Sequence, residues 1–272
     1  MTQEKHPVPV VMAISGNDPT GGAGIAADIE AIASMGCQTA PVITALTVQD
    51  THNVLSIAPT PTTLLIEQAR AVFEDMPIAA VKIGMTGSIG NIEAIHTLLR
   101  DYPETPVILD PILAAGGGTE LSSGEMVEAM VELLLPQTTI LTPNSIEARR
   151  LAPNADTLDA CAQEILATGC ELVLITGAHE ESEQVENTLY GNMRRLERFS
   201  WERLPHSYHG SGCTLAAAIA GLMAQGLEPF TAINEAQEYA WESLRNGYRS
   251  GMGQHHPNRF FWAWNDPEEG AQ

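Results

Sequence analysis

The segment His209-Gly210-Ser211-Gly212-Cys213-Thr214 stands directly before residues 215–223, an apolar stretch long enough for a helix. A Gly-Ser-Gly turn at a helix start leaves backbone N–H groups free and aligned with the positive end of the helix dipole, an arrangement suited to an anion. Cys213 falls in the first turn, where the same field favours thiolate over thiol. The alternative is a small cysteine packed beneath a helix start. The flanking glycines favour the anion site.

Two acids offer the complementary chemistry. Asp110-Pro111 closes the apolar run 107–109 and precedes Ala114-Ala115-Gly116-Gly117-Gly118, whose glycines suit a lid able to fold over bound phosphates. Thr142-Pro143-Asn144-Ser145-Ile146-Glu147 places Glu147 three residues after Asn144, and spacing alone favours a capping box over catalysis there. Yet both acids fall at strand ends, where α/β sheets bind ligands, and paired carboxylates suit Mg²⁺ held through water. A second glycine-rich segment, residues 15–25, joins a strand to a helix. Its glycine spacing is not the dinucleotide fingerprint, and the chain has no Gly-x4-Gly-Lys-Ser/Thr, which excludes a Walker-type site. Residues 180–186 read as a solvated acidic loop, and His255-His256 lack a metal-ligand companion.

The elements that must position these groups alternate along the chain. Apolar runs of strand length lie at 8–14, 39–48, 79–83, 107–109, 138–141 and 172–175. Helical patterns separate them, with apolar residues such as Ile25, Ile29 and Ile32 on one face. Residues 185–190 and 193–199, around Gly191-Asn192, predict a hairpin, and helices follow over 213–225 and 231–246. Repeated strand–helix units imply an α/β fold: one domain with a mostly parallel sheet, helices on both faces and antiparallel strands at an edge. The domain is expected to span residues 1–257, with 258–272 a tail of uncertain order.

Composition narrows the partners. The 272 residues carry 13 Lys+Arg against 34 Asp+Glu, a formal net charge of −21. That balance argues against nucleic acid and against an anionic membrane surface, both of which need clustered basic residues. With 44% hydrophobic residues a substantial core can form. Four scattered cysteines without paired spacing, no signal-like N-terminus and no apolar run of about 18 residues predict a cytoplasmic protein with reduced thiols.

Taken in order, residues 15–28 (Ser-Gly-Asn-Asp-Pro-Thr-Gly-Gly-Ala-Gly-Ile-Ala-Ala-Asp), residues 42–51, Lys82-Ile83-Gly84-Met85, Asp110-Pro111, Thr142-Pro143-Asn144 with Glu147, and residues 209–214 resemble the hydroxymethylpyrimidine/phosphomethylpyrimidine kinases of thiamine biosynthesis, within the ribokinase-like family. The resemblance runs from about residue 10 to residue 257. It implies ATP- and Mg²⁺-dependent phosphorylation of 4-amino-5-hydroxymethyl-2-methylpyrimidine and then of its monophosphate, by a homodimer. It implies that Gln49 hydrogen-bonds the pyrimidine edge, that Gly16, Asp28 and Met85 shape its pocket, and that Thr176, Gly177 and His209 contact the nucleotide. Asp110 and Glu147 would hold Mg²⁺, while Gly210, Ser211 and Gly212 would receive the transferring phosphoryl group. Cys213 would act as the base on the substrate hydroxyl.

The chain departs from the family pattern at Thr176, where a lysine is usual, at Ala26, where a glutamine is common, and in residues 114–118, which carry no lysine. Pyridoxal kinases share much of the pattern and form the alternative within the enzyme class. A degenerate kinase fold that binds a pyrimidine as a sensor is the alternative outside it.

Overall fold

The computed structural model describes residues 8–115 and 117–263. The chain folds through β1 (Val10–Asn17), α1 (Gly24–Ser34), β2 (Gln38–Gln49), β3 (Val54–Pro59), α2 (Thr62–Asp75), β4 (Ile78–Ile83), α3 (Ile89–Asp101), β5 (Val107–Leu109), α4 (Gly124–Ala129), β6 (Ile140–Leu141), α5 (Ser145–Leu151), α6 (Leu158–Ala167), β7 (Leu172–Ile175), β8 (Gln184–Gly191), β9 (Arg194–Glu202), α7 (Ser211–Ala224) and α8 (Pro229–Arg245). The strands form one sheet in the order β3-β2-β1-β4-β5-β6-β7-β8-β9. Its centre, β2 to β7, is parallel.

Antiparallel strands close both edges, β3 on one side and β8–β9 on the other. The expected edge hairpin is therefore present, and β3 adds a second. Nothing in its short sequence Val-Leu-Ser-Ile-Ala-Pro marks it, because most of it is exposed and it is held by register with β2 rather than by a buried face. The hairpin turn lies one residue later than predicted. Asn192 and Met193 both have positive φ, 50° and 59°, and Gly191 pairs with Arg194. Gly191 belongs to the strand because a Cβ there would sit 2.6 Å from Leu172 Cδ2.

Strand alternation builds two cores. Met12, Ile14, Val81, Ile83, Val107, Leu109 and Leu141 point to the face covered by α2 to α6. Val11, Ala13, Ala80, Ile108 and Ile140 point to the face covered by α1, α7 and α8. The same register puts Lys82 on the second face, among apolar neighbours, with its side chain fully buried. The helix begun by α4 is interrupted: it runs into a π-helical turn, Met130–Leu134, then a 3-10 turn, Leu135–Gln137.

Packing does not stop at Pro257, where the domain boundary was placed. Arg259 is among the most buried side chains, donating to Thr214 Oγ1 at 2.9 Å and to Glu30 Oε2 at 3.0 Å, and also to the carbonyl of Gly22. It ties α1, the glycine-rich segment 15–25 and α7 together, so residues 258–263 belong with the domain. Residues 264–272 of the expected tail lie outside the described residues. All four cysteines are free thiols, and among the described residues no helix is long and apolar enough to cross a membrane.

Candidate active site

The parallel strands end on one side of the sheet, over a cleft of about 570 Å³. Gly16, Gln49, Met85, Asp110, Thr142, Glu147, Thr176, His209, Gly210, Ser211, Gly212 and Cys213 all border it. Residues scattered over nearly 200 positions thus meet where the carboxyl ends of parallel strands place ligands.

One wall is the start of α7. Its N-cap is Gly210, with φ of 83° and no side-chain hydrogen bond to the first turn. The glycine is needed twice over: that φ is left-handed, and a Cβ there would overlap the carbonyl oxygen of Gly22. The first N–H groups of this 14-residue helix therefore open onto the cleft without side-chain partners, beside Asp110. A Cβ on Gly212 would lie 3.6 Å from each Asp110 carboxyl oxygen, so glycine there leaves room between helix and acid.

Beneath this wall lies a buried charge cluster. Lys82 Nζ is 2.7 Å from Asp28 Oδ1 and donates to Ser15 Oγ at 3.1 Å. Burial works against the ammonium, but the Asp28 charge, with Asp110 adding to it, more than offsets that, and Lys82 is held charged above its ordinary range. Asp28, expected to shape the pocket, does not border the cleft. It is fully buried and supplies the counter-ion that a lysine on a core face requires. The sequence signal for this buried charge is a lone lysine inside the apolar run Ile-Ala-Ala-Val-Lys-Ile.

The remaining groups of the cluster show the same competition between burial and charge. Burial pushes the Asp110 carboxyl up to about 6, with Lys82 opposing. Glu147 is pushed up to about 8, by burial first and the Asp110 charge second. Cys213 moves against expectation. Burial pushes its thiol up to about 12, and the Lys82 charge recovers only part. Desolvation wins over the field of the helix start for a thiol enclosed on all sides. Cys213 at rest is a thiol, not a thiolate.

Glu147 caps its own helix and also reaches the cleft. Asn144 Oδ1 accepts from the N–H groups of Ile146 and Glu147, each at 2.9 Å, and Glu147 Oε2 accepts from Asn144 N–H at 2.9 Å. The capping box is complete, and Glu147 still borders the cleft.

The residues expected at the nucleotide separate. Thr176 ends β7 at the cleft. Gly177 does not border it: its N–H donates to Asn187 Oδ1 at 3.1 Å, and a Cβ would overlap the Glu186 carbonyl, so this glycine serves close packing. His209 stands beside Gln49, 3.2 Å away, and pairs with Asp18 at 2.8 Å. Asp18, absent from the sequence reading as a site residue, was hidden because its partners are up to 191 positions away. Gly16 and Met85 meet as expected, since a Cβ on Gly16 would overlap Met85 Cε.

Ala114 and Ala115 line the cleft, and the described part of residues 114–118 forms a tight turn: Ala115 N–H donates to Thr119 O, and Thr119 Oγ1 donates to Asn53 Oδ1, both at 2.8 Å. Gly116, central to the lid expectation, lies outside the described residues. Among the described residues Arg203 is the single Lys or Arg bordering the cleft, and it is already engaged with the carbonyls of Ala178, Glu180 and Ser182.

The site can therefore offer a run of backbone donors to an anion, two crowded carboxylates to a cation, and an amide to a planar polar edge. Comparison with known proteins identifies the family. The family model for phosphomethylpyrimidine kinase matches residues 18–258. A hydroxymethylpyrimidine/phosphomethylpyrimidine kinase from Rhizobium meliloti is 34% identical, over 94% of this chain and 99% of its own length. Among solved structures, the phosphomethylpyrimidine kinase of Clostridium difficile aligns with a TM-score of 0.75 at 32% identity, covering 88% of this chain and all of that one. Pyridoxal kinase from Bacillus subtilis, solved as an ADP complex, aligns with a TM-score of 0.87 at 26% identity, covering 95% of this chain and 100% of that one. This chain belongs to the hydroxymethylpyrimidine/phosphomethylpyrimidine kinase family.

Proposed function

We propose that the cleft transfers the γ-phosphoryl group of ATP to the hydroxymethyl oxygen of 4-amino-5-hydroxymethyl-2-methylpyrimidine, and then a second phosphoryl group to the resulting monophosphate. The observation that carries this reading is the open start of α7 beside Asp110 and Cys213. Phosphoryl transfer needs fixed donors where charge spreads over the phosphate oxygens, and backbone N–H groups provide them without reorganisation. In the first transfer a bond forms between the substrate oxygen and phosphorus, the bond from phosphorus to the bridging oxygen breaks, and ADP leaves. The hydroxyl proton passes to the sulfur of Cys213 in its ionised form, a minor species at neutral pH. In the second transfer the acceptor is a phosphate oxygen, largely unprotonated above a pKa of about 6, so no base is required.

Gln49 holds the pyrimidine edge, and Gly16 with Met85 shapes the pocket around the ring. Thr176 and the start of α7 face the triphosphate. Asp110 and Glu147 fit a divalent cation: Asp110 Oδ2 is buried without a hydrogen-bond partner among the described residues, burial pushes both acids up, and the Asp110 charge adds to the push on Glu147. Among the described residues no cluster of three or more His, Cys, Asp or Glu side chains could bind a metal alone, which suits Mg²⁺ shared with phosphate oxygens and water. Bound Mg²⁺ would offset phosphate charge in a cleft that has little Lys or Arg of its own.

The expected homodimer would use the exposed apolar side chains of β2 and β3, Leu46, Val48 and Leu55. Sedimentation of Leu46→Asp/Val48→Asp tests this, and an unchanged mass would remove that face from consideration.

The activity is tested by following ADP release with the pyrimidine alcohol, its monophosphate and pyridoxal as acceptors. ADP release dependent on the pyrimidine alcohol is expected, with pyridoxal a poorer acceptor. Binding of the pyrimidine without ADP release would leave a sensor as the better reading.

A further inference from the structure

His209 Nε2 faces two groups at once, Asp18 Oδ2 at 2.8 Å and Gln49 Nε2 at 3.2 Å. Asp18 can only accept. Its Oδ1 accepts from the N–H and the hydroxyl of Thr20, both at 2.8 Å, and its Oδ2 accepts from Ala23 N–H at 2.9 Å. Although burial works against the charge, hydrogen bonds from His209 and Thr20 hold this carboxyl below its ordinary range. An ionised carboxylate at 2.8 Å requires a hydrogen on His209 Nε2, in the neutral or the charged ring. The Gln49 amide nitrogen then meets an N–H, so two donors oppose each other.

The other end of the amide carries a second conflict. Thr47 Oγ1 lies 2.8 Å from Gln49 Oε1 and 2.9 Å from the carbonyl of Asn17, two acceptors for a single hydroxyl hydrogen. Turning the amide over satisfies Thr47, which then accepts from the amide N–H and donates to Asn17. At the other end it replaces two opposed donors by a single His209 N–H that is held by Asp18 Oδ2 at 2.8 Å and shared with Gln49 Oε1 at the longer 3.2 Å.

We propose that Asp18, acting through His209, sets the side-chain amide of Gln49 with oxygen toward His209 and nitrogen toward Thr47, making both residues positioning groups for substrate specificity. In that orientation one lone pair of Oε1 and one N–H of Nε2 remain free, side by side. Such a donor–acceptor pair matches an amino group next to a ring nitrogen, as Gln and Asn match adenine. A 4-aminopyrimidine has that edge, and the pyridine ring of pyridoxal does not. The order of donor and acceptor also fixes which way the ring lies, and so whether the 5-hydroxymethyl group reaches Cys213. The inference rests on the reading that Gln49 faces the pyrimidine.

The ring is held for this task. A Cβ on Gly22 would lie 2.5 Å from His209 Cδ2, so the neighbouring glycine is what lets the imidazole sit against the first glycine loop.

Two measurements test the proposal on the full chain. Nitrogen-15 NMR of labelled histidine should show His209 protonated at Nε2, its signal assigned by its loss in His209→Gln. A ring protonated at Nδ1 alone would overturn the proposal without any variant having to function. In steady-state kinetics, His209→Met should raise KM for the pyrimidine alcohol about tenfold, the usual scale for a misaligned bidentate contact, with KM for ATP unchanged. His209→Gln, which keeps an N–H donor, should recover most of that loss. A raised KM in Gln49→Ala with none in His209→Met would overturn the positioning role alone. An unchanged KM in Gln49→Ala would overturn both that role and the assignment of Gln49 to the pyrimidine.

Discussion

Two helix starts meet at the cleft and are built in opposite ways. At α5 the sequence closes its own end: Asn144 accepts from two backbone N–H groups and Glu147 returns a bond to the Asn144 N–H. At α7 the N-cap is a left-handed glycine with no capping side chain, and the Gly22 carbonyl occupies the space a Cβ would need. The closed end consumes its donors and leaves a carboxylate at the cleft. The open end keeps its donors for a ligand. That contrast suits a cation beside α5 and an anion at α7, and the proposed Mg²⁺ with a triphosphate would supply both. The difference also shows why a capping motif and a binding role do not exclude each other, since Glu147 uses Oε2 on the cap while its carboxylate still borders the cleft.

The sharpest way to break the contrast is at the open end. Cys213→Ala should lower kcat for the first transfer by about 10²-fold or more, the usual scale for losing a general base. The second transfer, with no hydroxyl proton to remove, should change far less. Because the wild-type thiol is pushed up to about 12, thiolate increases with pH, and kcat/KM for the alcohol should rise from neutral toward alkaline pH. Cys213→Ala should lose that slope. Equal loss in both transfers, with the slope retained, would show a packing role.

Gly210→Ala should cost about 1–3 kcal/mol in stability for the left-handed φ, with a further penalty from contact with the Gly22 carbonyl. Chemical denaturation measures it. A stability loss comparable to an ordinary surface substitution would mean the open end can accept a side chain after all.

At the closed end, Glu147→Gln keeps an acceptor for the Asn144 N–H but removes the charge. The Glu147 carboxyl is pushed up to about 8 from an ordinary value of 4.5, so the folded state holds its proton more tightly than the unfolded chain. Its contribution to stability is complete below about pH 4.5 and is lost as pH rises through 8. Glu147→Gln should therefore gain on the wild type as pH rises from 4.5 to 8, while needing more Mg²⁺ for activity. Parallel stability curves at all pH values would leave Glu147 a cap and nothing more.

The smallest expected effect is that of Asn144→Ala, about 1 kcal/mol from the lost cap. Thermal unfolding checks it, and no loss would mean that packing alone holds α5.

Much of this was readable before the fold. Alternating apolar runs located the central strands, the Asn144–Glu147 spacing announced the capping box, and the glycines around Ser211 marked an open helix start, because each depends on neighbours a few positions apart. Cleft residues named from the family motifs mostly met at the strand ends. Asp28 and Gly177 did not, because a buried lysine needed the first as counter-ion and a crossing backbone left no room for a side chain at the second.

Local pattern, then, was enough to determine the α/β architecture and the open glycine turn before α7, since hydrophobic period, capping and turn preference act within one or two turns of chain, while the family was carried by the resemblance of six motifs in order. The tertiary structure alone decided the ionisation of Cys213, the Lys82–Asp28 pair, the clamp of Arg259 on α1, α7 and the loop before α1, and the meeting of Asp18 with His209 and Gln49. Those depend on desolvation and on contacts between distant segments, and both are set only when the sheet brings the strand ends together and closes α7 over them.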